Sequence, residues 1–227
     1  MLVISILNNK GGVGKTTLTQ NVAIYLAQSG YKVGVIDFDG QANLSYSISH
    51  TPNLDIKTLL KAQKPITINE FSETKYKNLF MVPNNKDTDS DSFNEFKDLE
   101  KLFCLRDILT ESLDLDLLLI DNPPTMDVAT TISLVASDYV LIPVNYNAFS
   151  TIGLEVIYDN IKAVTRVNNK IRLLGVVANR VDERLKISNH VRSELKEHLG
   201  ENVFDSHIRT NVNFETAQIE ALSIFEI

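Results

Sequence analysis

Cysteine is almost absent from this chain of 227 residues, since Cys104 is its only one. A single cysteine excludes an intrachain disulfide and a metal site built from cysteines alone, and it suits a reducing compartment. The apolar neighbours of Cys104 favour a small core residue over a reactive thiol. Long apolar runs are missing too, because stretches such as Leu173–Ala178 are far shorter than the roughly 20 residues of a membrane span. With no secretory signal visible after Met1, we expect a cytoplasmic protein with no membrane partner.

Positive charge is also scarce, with 22 Lys and Arg against 29 Asp and Glu and a formal net charge of −7. This balance argues against strong constitutive binding to nucleic acid, although a local basic patch remains compatible with it. Hydrophobic residues make up 44% of the chain, which is ordinary for a globular protein. The length fits one α/β domain with a full core, so we expect residues 1–227 to form a single domain.

Six short apolar runs are rich in Val, Ile and Leu, which is typical of buried parallel strands. They are Leu2–Leu7, Lys32–Ile36, Leu79–Val82, Leu117–Ile120, Tyr139–Pro143 and Leu173–Ala178. Amphipathic stretches separate these runs along the chain. The alternation predicts an α/β fold, with a mostly parallel twisted sheet covered by helices on both faces.

Helical faces are predicted where apolar residues step by four positions. Two such trios are Leu18, Val22 and Leu26, and Val191, Leu195 and Leu199. Thr151–Val167 is predicted to form a long helix. The polar stretch Asn84–Ser92 is the one low-complexity segment, and its composition predicts a mobile loop.

A glycine-rich segment, Asn9–Thr17, directly follows the first predicted strand and opens the first helix. Its spacing is that of the phosphate-binding P-loop, GxxxxGK[ST], except that Asn9 replaces the first glycine. The glycines let backbone N–H groups turn toward phosphate oxygens, Lys15 supplies positive charge, and Thr16 offers a hydroxyl to Mg²⁺. The predicted nucleotide contacts are Gly11, Gly12, Val13, Gly14, Lys15, Thr16 and Thr17. The alternative, a glycine-rich turn with chance lysines, is disfavoured by the spacing and the strand–loop–helix context.

The string KGGVGKTT resembles the deviant Walker A motif of the ParA/MinD superfamily of ATPases, which has a lysine near the start of the loop. The resemblance runs from Met1 to about Ile224 and implies a P-loop NTPase fold with ATP and Mg²⁺ at the site. It also implies a homodimer on ATP, in which Lys10 reaches the phosphates bound to the partner subunit. The alternative is that Lys10 is a solvated loop lysine.

Two carboxylates follow the second predicted strand, in the segment Asp37–Gln41. Their side chains emerge at the carboxyl edge of the sheet, where open α/β folds bind ligands. The segment resembles the DxDPQ motif of the same superfamily, with Gly40 in place of the usual proline. We predict that Asp39 positions or polarises the attacking water and that Asp37 supports the Mg²⁺ shell. The alternative for Asp39 is a helix cap.

Two further strands end in polar residues at the same edge. The strand before Asp121 has the Walker B arrangement, in which the aspartate binds Mg²⁺ through water. The following Asn122–Pro124 resembles a switch segment of the superfamily. Asn179 and Arg180 resemble its "NR" pair, whose asparagine hydrogen-bonds the adenine edge; the alternative for Asn179 is a turn former.

Several branches of the superfamily are disfavoured by what the chain lacks. One cysteine cannot ligate the cluster of a nitrogenase iron protein. Nothing after Ala217 resembles the basic amphipathic helix that places MinD-like proteins on membrane. The chain is not duplicated like an arsenite-pump ATPase, and it carries no C-terminal tyrosine cluster like a bacterial tyrosine kinase. Family members commonly continue with a helix beyond Phe225–Ile227, so contacts made by that helix are in doubt here.

What remains is a ParA-type partition ATPase that acts with a ParB-type adaptor bound to a plasmid or chromosomal centromere. The alternative is a nucleotide-gated scaffold that positions a protein assembly without DNA cargo. A small-molecule ligase of the dethiobiotin-synthetase kind is a weaker third.

The resemblance places several basic residues of the C-terminal third near one edge of the molecule. The predicted DNA contacts are Arg184, Lys186, Arg192 and Arg209. Dimerisation would double the number of phosphates they neutralise, so we predict non-specific, salt-sensitive DNA binding in the ATP state. The alternative is that they are ordinary solvated cations.

Overall fold

The structure is a computed structural model that describes residues 1–48, 55–85, 90–109, 113–146, 150–184 and 186–227. The strands are β1 (Leu2–Ile6), β2 (Val33–Asp37), β3 (Ser72–Glu73), β4 (Leu79–Val82), β5 (Leu117–Asp121), β6 (Tyr139–Asn145), β7 (Arg172–Val181) and β8 (Val203–Arg209). The α-helices are α1 (Lys15–Gln28), α2 (Asn43–Ile48), α3 (Ile56–Ala62), α4 (Cys104–Ile108), α5 (Val128–Ala136), α6 (Ser150–Val164), α7 (Lys186–Leu199) and α8 (Asn213–Ile219). Short 3₁₀ helices are Ile68–Glu70, Ser90–Phe96, Lys101–Phe103, Gly200–Asn202 and Ile224–Glu226.

The strands form one eight-stranded sheet in the order β3-β4-β2-β5-β1-β6-β7-β8. Every paired neighbour is parallel except β3, which runs antiparallel to β4. β1 lies at the centre, between β5 and β6, and β2 pairs with the other side of β5. The prediction of a mostly parallel sheet is confirmed. All six predicted strands form, within a few residues of the predicted bounds.

Side chains of successive strand residues point to opposite faces of the sheet, and both faces are covered. On one face, Val33 and Val35 of β2 pack with Ala23 and Ile24 of α1. On the other face, Ile36 packs in a second cluster with residues of α3, α4 and α5. A third cluster joins β6 and β7 to α5, α6 and α7. The helices therefore cover both faces, as predicted, and within the described residues none is long and apolar enough to cross a bilayer.

The two predicted apolar faces both lie against the core, at different depths. In α1, Leu18 is buried, and Val22 and Leu26 are half-buried against the same cluster. In α7, Val191 and Leu195 are buried and Leu199 packs beside them, as predicted. The four-residue step did not reveal Ala23, Ile24 and Ala27, which are the most deeply buried apolar residues of α1.

The sequence missed β3 and β8. β8 is an edge strand, and most of its residues are exposed or half-buried, so it lacks a continuous apolar run. The prediction of a mobile loop over Asn84–Ser92 is wrong at both ends of the segment. Asn84 is buried and hydrogen-bonded, and a 3₁₀ helix begins at Ser90; residues 86–89 lie outside the described residues.

Because β1, β2, β4, β5, β6 and β7 run parallel, their carboxyl ends meet at one edge of the sheet. Here Asp37 of β2 lies in register with Asp121 of β5, and β1 ends directly before the glycine-rich loop. The predicted phosphate and metal residues are therefore brought to a common edge.

Candidate functional site

The glycine-rich loop connects β1 to α1 in the geometry of an anion-binding nest. Gly12 has a φ of 72° and Gly14 a φ of 88°, and Gly14 caps the N-terminus of α1. Left-handed φ values of this kind strain any residue with a Cβ. At Gly14 a Cβ would also collide with the side-chain amide of Asn179. The loop thus needs these glycines to direct its N–H groups and the positive end of α1 toward a phosphate.

Lys15 opens α1 and is only 6% exposed. Its Nζ donates to the carbonyl oxygen of Lys10, 3.4 Å away, across the inside of the loop. Burial lowers the pKa of Lys15, and the charges of Asp121 and Asp39 partly oppose that shift. An ammonium held in this way has no strong anionic partner within hydrogen-bond distance among the described contacts, which leaves it available to a phosphate.

Thr16 and Asp121, the two residues predicted to hold Mg²⁺, are in direct contact. Thr16 Oγ1 donates to Asp121 Oδ2 at 2.7 Å, and Thr19 Oγ1 lies 3.4 Å from Asp121 Oδ1. Asp121 is fully buried, and burial together with the charge of Asp37 raises its pKa well above its ordinary range. The Thr16 hydroxyl and the Asp121 carboxylate are hard oxygen donors, and a bound cation would offset the buried negative charge of the carboxylate. Such donors fit Mg²⁺ bound alongside nucleotide phosphates.

Asp37 is fully buried and heavily hydrogen-bonded. Its Oδ1 accepts from the N–H of Asp39 at 3.0 Å, and its Oδ2 accepts from the N–H and the hydroxyl of Ser45 at 2.9 and 2.7 Å. Burial raises the pKa of Asp37 to about 7, and these hydrogen bonds oppose the shift. Asp37 therefore organises the loop that carries Asp39, in addition to lying beside Asp121.

Asp39 is half-buried at the start of that loop. Its Oδ1 accepts from the N–H of Gln41 at 2.9 Å, which is a turn contact, because α2 begins only at Asn43. The helix-cap alternative therefore does not describe its contact. Asp39 is joined to the phosphate loop through Asp37, which accepts from its N–H and lies in register with Asp121 beside Thr16.

Asn179 and Arg180 sit at the end of β7, over the glycine-rich loop. Asn179 Nδ2 donates to the carbonyl oxygen of Val13 at 2.8 Å, and Asn179 Oδ1 accepts from the N–H of Arg180 at 2.9 Å. Arg180 adopts a φ of 54°, a strained value for a residue with a side chain. Its guanidinium lies 3.5 Å from the carbonyl oxygen of Gly12 and 3.9 Å from Glu215.

A cavity of about 540 Å³ opens beside this pair. It runs from Gly14 and Thr17 of the loop along the flank of α1 toward the C-terminal segment. The apolar lining includes Leu18, Val22, Ile208, Phe214 and Phe225. The half-buried flank of α1 thus forms one wall. An apolar cavity of this size with a few polar groups suits a nucleoside.

Lys10 lies apart from the rest of the site on the exposed rim of the loop. Its N–H donates to Asn8 Oδ1 at 2.9 Å, which fixes the backbone but leaves the side chain in solvent. The structure thus brings Lys15, Thr16, Asp37, Asp39 and Asp121 together and leaves Lys10 facing outward.

The predicted DNA-binding residues lie on the connection between β7 and α7, on α7 and on β8, and they are engaged by acids wherever their side chains are described. Arg184 makes a two-pronged contact with Asp182 at 2.8 and 2.9 Å. Arg192 lies 3.5 Å from Asp205, and Arg209 lies 3.6 Å from Glu183. The side chain of Lys186 lies outside the described residues. A basic edge is present, but its charge is locally compensated.

Sequence reasoning missed three residues at this edge. Ser45 and Asn84 connect Asp37 and the Asp39 loop to the end of β4, and Asn8 Nδ2 ties the start of the P-loop to the carbonyl oxygen of Pro143 at 2.7 Å. None belongs to a spacing pattern. The one available signal was the position of Asn8 and Asn84 shortly after an apolar run; Ser45, inside α2, offered none.

Comparisons with known proteins agree with this geometry. A family model described as an AAA domain matches residues 1–173. The chromosome-partitioning ATPase Soj of Treponema pallidum (strain Nichols) is 31% identical over 220 residues, covering 96% of this chain and 87% of Soj. The chromosome partitioning protein ParA of Caulobacter vibrioides is 30% identical over 223 residues, covering 95% of this chain and 83% of ParA.

Among solved structures, the ATP complex of a McdA variant from Cyanothece is similar, with a TM-score of 0.87. The similarity covers 100% of this chain and 90% of that chain at 20% identity, and it therefore concerns the fold.

Proposed function

The chain belongs to the ParA/MinD-type P-loop ATPases, and we propose that it is a DNA-partition ATPase of the cytoplasm. In this proposal it hydrolyses ATP with Mg²⁺, dimerises when ATP is bound, and then binds DNA without sequence preference. A ParB-type adaptor on a plasmid or chromosomal centromere stimulates hydrolysis and resets the cycle. The observation that carries the proposal is the convergence of Lys15, Thr16 and Asp121, with Asp39 beside them, at one sheet edge.

Nucleotide binding is assigned to the loop and the cavity beside it. The N–H groups of residues 11–17 and the ammonium of Lys15 hold the phosphates, and the nucleoside lies against the apolar flank of α1. Asn179 supports the loop by donating to the Val13 carbonyl oxygen. Its Oδ1 accepts from the N–H of Arg180 and, because an amide oxygen has two lone pairs, would accept a second hydrogen bond from the adenine amino group. Thr16 and Asp121 would hold Mg²⁺, with Asp37 supporting them, and the ion would neutralise charge on the phosphates.

Hydrolysis requires a water in line with the bond to the γ-phosphate. Phosphoryl transfer depends mainly on such positioning and on charge neutralisation, and less on covalent chemistry by the protein. Asp39 is assigned to orient this water, because its carboxylate lies near Lys15 and is less buried than Asp37 or Asp121.

Lys10 is assigned to the dimer. It is exposed on the rim of the loop, whereas Lys15 already occupies the inside. Two facing nucleotides repel each other strongly, and a lysine donated from each subunit offsets that repulsion. Loss of the γ-phosphate removes the contact and separates the subunits.

DNA binding is assigned to Arg184 after β7, to Lys186 and Arg192 of α7, and to Arg209 of β8. The affinity of one subunit should be weak, because Asp182, Glu183 and Asp205 compensate these cations. A dimer presents two such edges, and affinity falls steeply with salt in proportion to the phosphates neutralised.

The same ion pairs favour the second candidate function, a nucleotide-gated scaffold that positions a protein assembly. A surface with compensated charge and a chain of net charge −7 suits a protein partner as well as a polyanion.

A DNA-retention assay with ATP and with ADP, across a salt series, separates the two functions. For a partition ATPase we expect retention with ATP only, lost as salt rises, and an ATPase rate stimulated by DNA together with the adaptor. Absence of retention while ATP dimers form would favour the scaffold.

A further inference from the structure

We propose that Asn84 is a positioning residue for hydrolysis, which acts by holding the backbone of Asp39 from the neighbouring strand. The inference rests on the proposed role of Asp39 as the residue that orients the water. Asn84 lies two residues beyond the end of β4, is 6% exposed, and sits at the same sheet edge as the phosphate loop.

Asn84 uses its polar groups within this edge. Its Nδ2 donates to the carbonyl oxygen of Asp39 at 3.1 Å, and its backbone N–H donates to Ser45 Oγ at 2.8 Å. Its Oδ1 accepts from the N–H of Asn85 at 2.9 Å, which fixes the orientation of the amide. Asn84 thus contacts both the loop that carries Asp39 and the helix α2 that follows this loop.

The Ser45 contact continues to the carboxylate of Asp37. Since the N–H of Asn84 can only donate, Ser45 Oγ accepts there and gives its own proton to Asp37 Oδ2, 2.7 Å away. Asp37 in turn accepts from the N–H of Asp39 through its other oxygen. The N–H of Asp39 is therefore held by Asp37, and its carbonyl oxygen accepts both from the N–H of Ala42 at 2.8 Å and from Asn84.

The contacts from Asp37 and Asn84 to the backbone of Asp39, called the clamp below, compensate for a feature of the neighbouring sequence. Gly40 follows Asp39 where the resembling motif has proline, so this position lacks the fixed φ of a proline ring and depends on hydrogen bonds, among them the turn contact from Ala42. Phe38, on the other side, is fixed by burial against the ring of Phe93, with ring centroids 5.5 Å apart. The contacts from Asn84 and Asp37 replace the missing stiffness at Asp39. A misplacement of about 1 Å at a reacting group can cost ~100-fold in rate.

The test is the kinetics of Asn84→Ala with saturating ATP and Mg²⁺. We expect kcat to fall about 10- to 100-fold, whereas the affinity for a fluorescent ATP analogue, measured by direct titration, changes less than about twofold. Asn84→Asp, which keeps the shape but loses the donated hydrogen bond, should lower kcat as well and covers the case in which the alanine variant does not fold.

Asn168→Ala is the matched control. Like the Asn84 amide, the Asn168 amide donates to the backbone. Its acceptors are the carbonyl oxygens of Leu134 and Ser137, at the opposite edge of the sheet. We expect a similar fall in Tm and an unchanged kcat. A merely structural role for Asn84 would make the two variants behave alike.

The double variant Asp39→Ala/Asn84→Ala identifies the path of the effect. It should hydrolyse ATP no more slowly than Asp39→Ala alone, because the clamp has nothing left to position. A normal kcat for Asn84→Ala, or a fall in affinity as large as the fall in kcat, would overturn the inference and leave the proposed function standing. Normal hydrolysis by Asp39→Ala would instead overturn the assignment of Asp39 itself.

Discussion

The phosphate edge, where Lys15, Thr16 and Asp121 meet, and the basic edge, formed by Arg184, Arg192 and Arg209, place their charged groups in opposite environments. At the phosphate edge, Lys15 is 6% exposed and Asp121 is 0% exposed, and both connect to neighbours through the interior. At the basic edge, the Arg184 side chain is 89% exposed and that of Arg209 is 73% exposed, each beside an acid. Burial removes solvent from one set of charges and leaves it around the other.

This difference in exposure determines how much free energy is lost when a single charged side chain is removed. Exposed ion pairs contribute only about 0.2–1 kcal/mol each, because water and salt screen them. Truncating one partner of a buried, hydrogen-bonded charge pair costs about 2–5 kcal/mol. Single substitutions at the phosphate edge should therefore change ligand affinity strongly, whereas single substitutions at the basic edge should change it only slightly.

The largest expected effect is that of Lys15→Ala. Loss of the buried ammonium should weaken ATP binding at least ~100-fold, because phosphates would then meet the carboxylates of Asp121 and Asp39 without compensation. Isothermal titration with ATP measures this directly. Lys32→Ala, which removes an exposed lysine paired with Asp114, should bind ATP normally. A near-normal ATP affinity of Lys15→Ala would contradict the large effect expected for a buried charge at the phosphate edge.

Next in size is the effect of Lys10→Ala on assembly. The variant should bind ATP but remain monomeric in light scattering with ATP and Mg²⁺, because its exposed lysine is assigned to the partner's phosphates. Lys170→Ala, another exposed lysine, should dimerise like the unaltered protein. A dimer fraction unaffected by Lys10→Ala would count against the trans contact.

At the basic edge we expect a gain from removing an acid. Asp205 contacts both Arg192 and Lys196, so Asp205→Asn should release two cations and raise DNA affinity in the ATP state about two- to fivefold. A DNA-retention titration at several salt concentrations measures the change. Asp114→Asn alters net charge equally at the opposite edge of the sheet and should have no such effect. Equal gains in both variants would mean that total charge alone governs binding.

The smallest effect concerns Cys104, which is buried like Lys15 but has no role at either edge. Burial raises the pKa of its thiol from 9.0 to about 11. Below pH 9 the thiol is protonated in both states, so its contribution to stability is complete there and is lost as the pH rises from 9 to 11. In native protein at pH 8, Cys104 should react with a disulfide reagent only as fast as the chain unfolds. Fast modification of the folded protein would contradict the buried, neutral thiol.

The sheet and the phosphate loop could be predicted because their signals are local. A run such as Leu117–Ile120 is apolar enough to specify a strand, and the spacing of Gly14, Lys15 and Thr16 specifies the loop. β8 escaped prediction because an edge strand keeps one side in solvent and carries no apolar run. The four-residue step missed Ala23 and Ala27 of α1, because alanines pack close to a sheet without standing out in the pattern.

The sequence by itself determined that Asp37 and Asp121 end strands of one parallel sheet, that Asp39 follows in the next loop, and that a glycine-rich loop precedes α1. Only the tertiary structure decided what these groups meet. Asn84 reaches Asp39 across 45 positions of chain, and Asp205 meets Arg192 from another element. Contacts of this kind depend on strand order and on the direction of each side chain, and neither is encoded in the spacing of residues along the chain.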